Sequence, residues 1–183
     1  AAGKGEYGRL TIGAISSMIG NPAFIDTLGD MQKQFPKVTV EVIDSNSAGL
    51  TGQIRERTMD LALMRLSEEL SENDELICEK LFDDGLAVVL PRKHRLAEKA
   101  AFPVSALADE RFILVPEKAS AVFRNYIFRF CETQGGFTPN VSKEISNSYT
   151  ALRLTAAGLG ITIVSTAYEG MFGNRLCYRR FSD

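Results

Sequence analysis

Apolar and polar residues alternate from Gly8 to Gly13, with Leu10, Ile12 and Ala14 on one face, and this period of two predicts a strand. The alternation breaks at Ser16-Ser17. It resumes at helical spacing, where Phe24, Leu28, Met31 and Phe35 form one stripe. Asn21 as N-cap and Pro22 at the first helical position set the start of that helix, and Pro36 sets its end. A second strand at Val38, Val40 and Val42 stops at Asp44-Ser45-Asn46-Ser47. The helix expected next, over residues 48–57, packs through Leu50 and Ile54. Leu61-Ala62-Leu63-Met64 is apolar without a break, as a central parallel strand should be. Residues 76–81 and 86–90 are further strand candidates, separated from that strand by a charged loop over 67–75.

Past Pro91 the same grammar begins again. Residues 112–115 read as a strand and 116–120 as a turn. A helix over 121–134 carries Phe123, Ile127 and Phe130 on one face and ends at Gly135-Gly136. A strand at 141–145 precedes a helix over 149–157, capped by Ser148 and closed by Gly158. Residues 161–164 and 176–181 complete the strands, the last leading nowhere. Two successive α/β blocks imply two lobes with a cleft between them. Residues 86–90 would cross outward and 173–181 would return, a hinge of the kind that closes around ligands.

Composition narrows the function without naming it. A chain of 183 residues can bury a real core, and 45% apolar with 24% charged residues is ordinary for a globular protein. A net charge of −2 and the absence of any basic run leave no electrostatic footprint for nucleic acid. No apolar run is long enough to span a bilayer, and no signal peptide is visible. Residues 1–7 read as a linker. Cys78, Cys131 and Cys177 lack CxxC spacing, so three ordinary buried thiols in a reducing cytosol are expected rather than zinc or disulfides.

The hydroxyl-rich turns carry the candidate chemistry. Short turns at strand carboxyl ends and helix amino ends are where open α/β sheets bind small ligands, and their free amides favour anions. Ser16, Ser17, Ser45 and Ser47 lie in two such turns, where each would also serve as a cap or turn residue. Arg65 follows an apolar strand, where its guanidinium either grips a carboxylate or pairs with Glu68 or Glu69. Phe123 belongs either to a core with Ile127 and Phe130 or to a cleft wall. His94, the sole histidine, lies in Lys93-His94-Arg95 without a GxSxG elbow, so catalysis through it is disfavoured. Gly158-Leu159-Gly160 precedes a strand, the reverse of the dinucleotide order. Asp83-Asp84 reads as a solvated turn rather than a metal site. No motif calls for a cofactor.

Five segments in order give the chain a resemblance to a known family: Gly8-x-Leu10-x-Ile12-Gly13, Phe35-Pro36-x-Val38, Met59-Asp60-Leu61-Ala62-Leu63, Pro91-Arg-Lys-His94-Arg-Leu-Ala97 and Leu154-Thr-Ala-Ala-Gly-Leu-Gly-Ile161. Over residues 8–183 it resembles the effector-binding domain of LysR-type transcriptional regulators. That resemblance implies a periplasmic-binding-protein type 2 fold, α/β with two Rossmann-like subdomains and an inducer in the interdomain cleft. Residues 8–90 plus 174–183 would form subdomain I, and 91–173 subdomain II. Within the family the chain is most similar to members that sense muconate and related aromatic-catabolic acids. Their pocket hydroxyls are matched by Ser17 and Ser47, their arginine by Arg65 and their aromatic by Phe123, whereas Met18, Asn46 and Met64 depart from them.

The family domain continues past the return crossing with a further strand and helix, so the first lobe is expected to lack an edge strand. The resemblance also implies a non-enzymatic cytoplasmic sensor that forms dimers and tetramers and touches DNA only through an N-terminal helix-turn-helix. Dimers would pair helix 22–35 of one chain with helix 121–134 of its mate. A periplasmic solute-binding protein serving a transporter is the alternative, and a small α/β hydrolase the third reading.

Overall fold

Strand β1 (Gly8–Ala14) is buried on both faces from Thr11 onward, because it lies between two parallel neighbours, β2 (Val38–Asp44) and β3 (Leu61–Leu63). The register sets Ala14 opposite both Asp44 and Leu63. β3 is therefore an edge of this three-stranded sheet rather than its centre, with Leu61 nearly half exposed. Its apolar run is explained by the cluster of Ile15, Leu50 and Met59, against which Ala62 and Met64 pack. The computed structural model describes residues 7–65 and 76–182; the expected linker, except for Tyr7, and all of the charged loop lie outside these. The chain divides into two units, residues 1–83 and 84–183.

In the first unit a single turn of helix, α1 (Ser16–Ile19), occupies the break at Ser16-Ser17. Helix α2 (Pro22–Gln34) starts as the sequence predicts, with the Asn21 side chain accepting the Ala23 amide at 2.9 Å. Its stripe is only partly covered: Phe24 is buried, while Leu28, Met31 and Phe35 are half-buried. Helix α3 (Ser47–Arg55) begins one residue earlier than expected and packs Leu50 directly over Gly13. A Cβ at Gly13 would lie 2.5 Å from the Leu50 side chain and 2.7 Å from Met59, so glycine permits this close approach. Residues 76–81 form no strand. Ile77 and Leu81 are exposed, and no partner ladder accompanies them among the described residues.

The second unit holds β4 (Leu86–Pro91), β5 (Ala101–Phe102), β6 (Arg111–Leu114), β7 (Asn140–Glu144), β8 (Thr162–Ser165) and β9 (Leu176–Phe181). One sheet has the order β5-β9-β4-β8; β6 and β7 pair in parallel, and Phe112 bridges to Ile161 just ahead of β8. The segments expected to cross between lobes, β4 and β9, lie antiparallel side by side within this unit. β9 is thus an interior strand, although nothing in sequence announced its partner. Helix α4 (Glu117–Phe130) starts four residues before the expected helix and kinks at Ser120, whose φ of −160° is extended. A wide turn over Cys131–Gly135 follows it. Helix α5 (Ser148–Ala156) is capped by Asn147 rather than Ser148: the Asn147 side chain accepts the Thr150 amide at 2.9 Å. The largest core gathers Phe112, Leu114, Ile127, Ile161 and Ile163.

The cysteines differ from expectation, since Cys78 is exposed while Cys131 and Cys177 are buried. Burial, with Glu132 adding to it, pushes the Cys131 thiol up to about 12, so it stays protonated and unreactive at neutral pH. Titration with a thiol reagent should therefore count one reactive sulfur in the native chain and three after denaturation. Rapid labelling of Cys131 in the native chain would contradict this packing.

Candidate functional site

The carboxyl ends of the three parallel strands share one edge of the first sheet, and five of the six candidate residues follow them. The edge is tied together by backbone bonds: Ser45 N–H donates to the Ala14 carbonyl at 3.2 Å, and Ile15 N–H to the Leu63 carbonyl at 3.0 Å. Thr11 N–H donates to the Asp60 carboxylate at 2.8 Å, which fixes the approach to β3. Ser16, Ser17, Ser45, Ser47 and Arg65 are therefore carried on adjoining turns.

Their environments differ. Ser17 is buried at 4% exposure, behind the edge. Ser16 is partly exposed, and its hydroxyl donates to the Asp44 carboxylate, with oxygens at 3.0 and 3.3 Å. Ser45 Oγ sits over Gly49, where an added Cβ would come within 2.5 Å of it. Ser47 opens α3, and Asn46 caps that helix by accepting the Gly49 amide at 2.9 Å. The first turn of α3 contains no acidic residue, so its amide dipole faces this edge uncompensated from within the helix. Arg65, half-buried, lies two residues past β3. The partners weighed for it in sequence, Glu68 and Glu69, lie outside the described residues. Phe123 belongs to the second unit, in the same core cluster as Ile127.

Sequence reasoning gave Asp44 no role and named Asn46 only as a departure from the resembling members. Both stand in the turn that was singled out, but attention went to the hydroxyls around them. The edge so assembled carries Arg65, the first turn of α3, three serine hydroxyls beside the buried Ser17, and the Asp44 carboxylate.

The remaining candidates have structural work. His94 Nε2 lies 3.2 Å from Glu110, which Arg95 also contacts at 2.8 Å, so the loop after β4 is pinned by side chains. Asp84 is exposed, as expected of a solvated residue, and it also accepts the Ser165 hydroxyl at 2.6 Å and the Thr166 hydroxyl at 3.2 Å. Asp83 pairs with Lys80 at 2.6 Å. Among the described residues no cluster fit to hold a metal ion occurs, and no helix is long and apolar enough to cross a membrane.

Residues 3–183 match the family profile described as the LysR substrate binding domain. The chain is 31% identical over 137 residues to the HTH-type transcriptional regulator ShiR of Corynebacterium glutamicum (strain R), an alignment covering 74% of this chain and 45% of that protein. It spans about half the length of the curated relatives it matches. Two solved structures share the fold. The effector binding domain of QuiR in complex with shikimate has a TM-score of 0.72 at 16% identity, covering 97% of this chain and 82% of that one. The BenM effector binding domain with its effector benzoate has a TM-score of 0.71 at 20% identity, covering 96% and 78%.

Proposed function

This chain belongs to the LysR substrate-binding domain family, and from that premise we propose that it senses a small organic acid on behalf of an oligomeric DNA-binding regulator. The observation that carries the reading is the family match along nearly the whole chain. The strand-end edge supports it, since Arg65, the α3 amides and Ser45 and Ser47 make a receptor for a carboxylate. Ser16 and Ser17, which follow β1 on the same edge, are proposed to contact the effector as well. An aromatic-catabolic acid such as muconate is the proposed class. Benzoate and shikimate, the ligands of the two solved relatives, are both ring carboxylates. No catalytic step is assigned, and the curated relatives carry the names of transcriptional regulators.

The mechanism is differential binding: the acid stabilises one arrangement of the protein over another, and shifts the equilibrium only by its affinity difference between them. DNA would be read by a helix-turn-helix segment of the kind named in the relatives, in the cytoplasm. Dimers would join α2 of one chain to α4 of its mate. Ile25 on α2, with Val122 and Tyr126 on α4, are more than half exposed and supply apolar surface for that pairing.

Thermal-shift screening against benzoate, shikimate, muconate and other small carboxylates tests the reading. A ligand at a hundredfold excess over its Kd stabilises by about 2.7 kcal/mol, a clear rise in melting temperature. For any acid found, Arg65→Ala should raise Kd at least tenfold by calorimetry, since a charge-assisted contact is worth about 1.5–3 kcal/mol. An unchanged Kd removes Arg65 from the site.

A further inference from the structure

We propose that Asp44 makes this edge select acids that also carry a hydroxyl or ammonium donor, an inference that rests on the sensor reading above. Asp44 is the last residue of β2, exposed, and its carboxylate accepts a single hydroxyl proton, shared between its two oxygens, from Ser16. A carboxylate has about four lone-pair sites, so most of its accepting capacity is left for another donor. Among the described residues no lysine, arginine or histidine lies within ion-pair distance of it.

The placement gives this meaning. Ala14 on the central strand stands opposite both Asp44 and Leu63, so Asp44 and the segment leading to Arg65 flank the same point of the edge. Strands two apart are separated by about 9–10 Å, a span suited to a ring acid gripped at both ends. In the sensor reading the acid's anionic group is taken at the Arg65 end, and the other end presents an acceptor that repels an anion. A plain carboxylate satisfies the first and leaves the second facing only water or its own charge. A hydroxy acid or amino acid satisfies both.

Matched probes separate the possibilities: cyclohexenecarboxylate against shikimate, and benzoate against protocatechuate, each titrated calorimetrically. The wild-type chain should bind the hydroxylated member of at least one pair at least tenfold more tightly. Asp44→Ala should bring that ratio to within about twofold by weakening the hydroxylated member alone, as loss of one charge-assisted hydrogen bond requires. Ser16→Ala, which frees Asp44 rather than removing it, should keep the preference. Equal binding of both twins by the wild type, or a preference that survives Asp44→Ala, overturns the selectivity while leaving the sensor reading in place. Failure of all four acids to bind at millimolar concentration overturns the selectivity, and the thermal-shift screen with muconate and other carboxylates then decides the sensor reading separately.

Discussion

Phe112→Ala should destabilise the folded chain by about 3–5 kcal/mol, the usual cost of emptying a buried aromatic site. The residue is fully buried, and its ring meets Phe137 at a centroid distance of 6.0 Å. Its backbone joins three strands: Phe112 pairs with Val141 on β7, bridges to Ile161 ahead of β8, and accepts the Ser142 hydroxyl at 3.1 Å. The ladder shifts register between Phe112 and Ile113, which leaves the neighbouring pairings little capacity to close the void. Thermal unfolding should move down by on the order of 10 °C. A melting temperature within about 2 °C of wild type would mean that the cavity collapses, and that Phe112 does not hold this core.

Why that core was visible in sequence, and other features were not, follows from what periodicity reports. Phe123, Ile127 and Phe130 announced a helix face because helical spacing puts them together on any backbone. The same logic misplaced Leu61 to Leu63: an unbroken apolar run reports burial, and the cover here is a helix and its cluster rather than strands on both sides. Residues 76–81 fail for a related reason. Leu76, Ile77 and Leu81 have strand composition, but a strand needs a ladder partner, and local sequence contains no information about where that partner is. Asn147 and Ser148 are both good caps standing side by side, so only φ and ψ decide between them. Exposure of Cys78 was equally illegible, since a lone thiol carries no periodicity.

The candidate edge was read more fully than the core around it. Strand-then-turn patterns located Ser16, Ser45 and Ser47, and the register of β1 with β2 explains why separate turns meet. The turn pattern alone did not tell Ser17, which the resemblance favoured, from Ser16, and one turn of helix buries the former while leaving the latter partly exposed. Asp44 escaped notice because a carboxylate looks unsuitable for binding an acid. Its hydrogen bond to Ser16 appears only once the two strand ends are side by side.

Gly160→Ala should be the most damaging single-methyl addition in the second unit. Gly160 has φ of +153°, a conformation that costs other residues on the order of 1–3 kcal/mol. A Cβ there would lie 2.6 Å from the Arg111 carbonyl oxygen, a backbone atom that cannot rotate away. That oxygen accepts the Ile161 amide at 2.8 Å, and Ile161 in turn accepts the Ile113 amide at 2.8 Å. The added methyl therefore pushes against the pair of hydrogen bonds that ties β6 to the start of β8. Strain and overpacking together predict a loss of about 2–6 kcal/mol. Gly158→Ala, whose methyl meets nothing within 4 Å, shares only the backbone cost and serves as the control. Urea midpoints should fall in the order wild type, Gly158→Ala, Gly160→Ala, with amide exchange at Ile113 and Ile161 accelerated only in the last. Equal midpoints for the two variants would show that the Arg111 carbonyl yields, and that the close approach at Gly160 is not what holds these strands together.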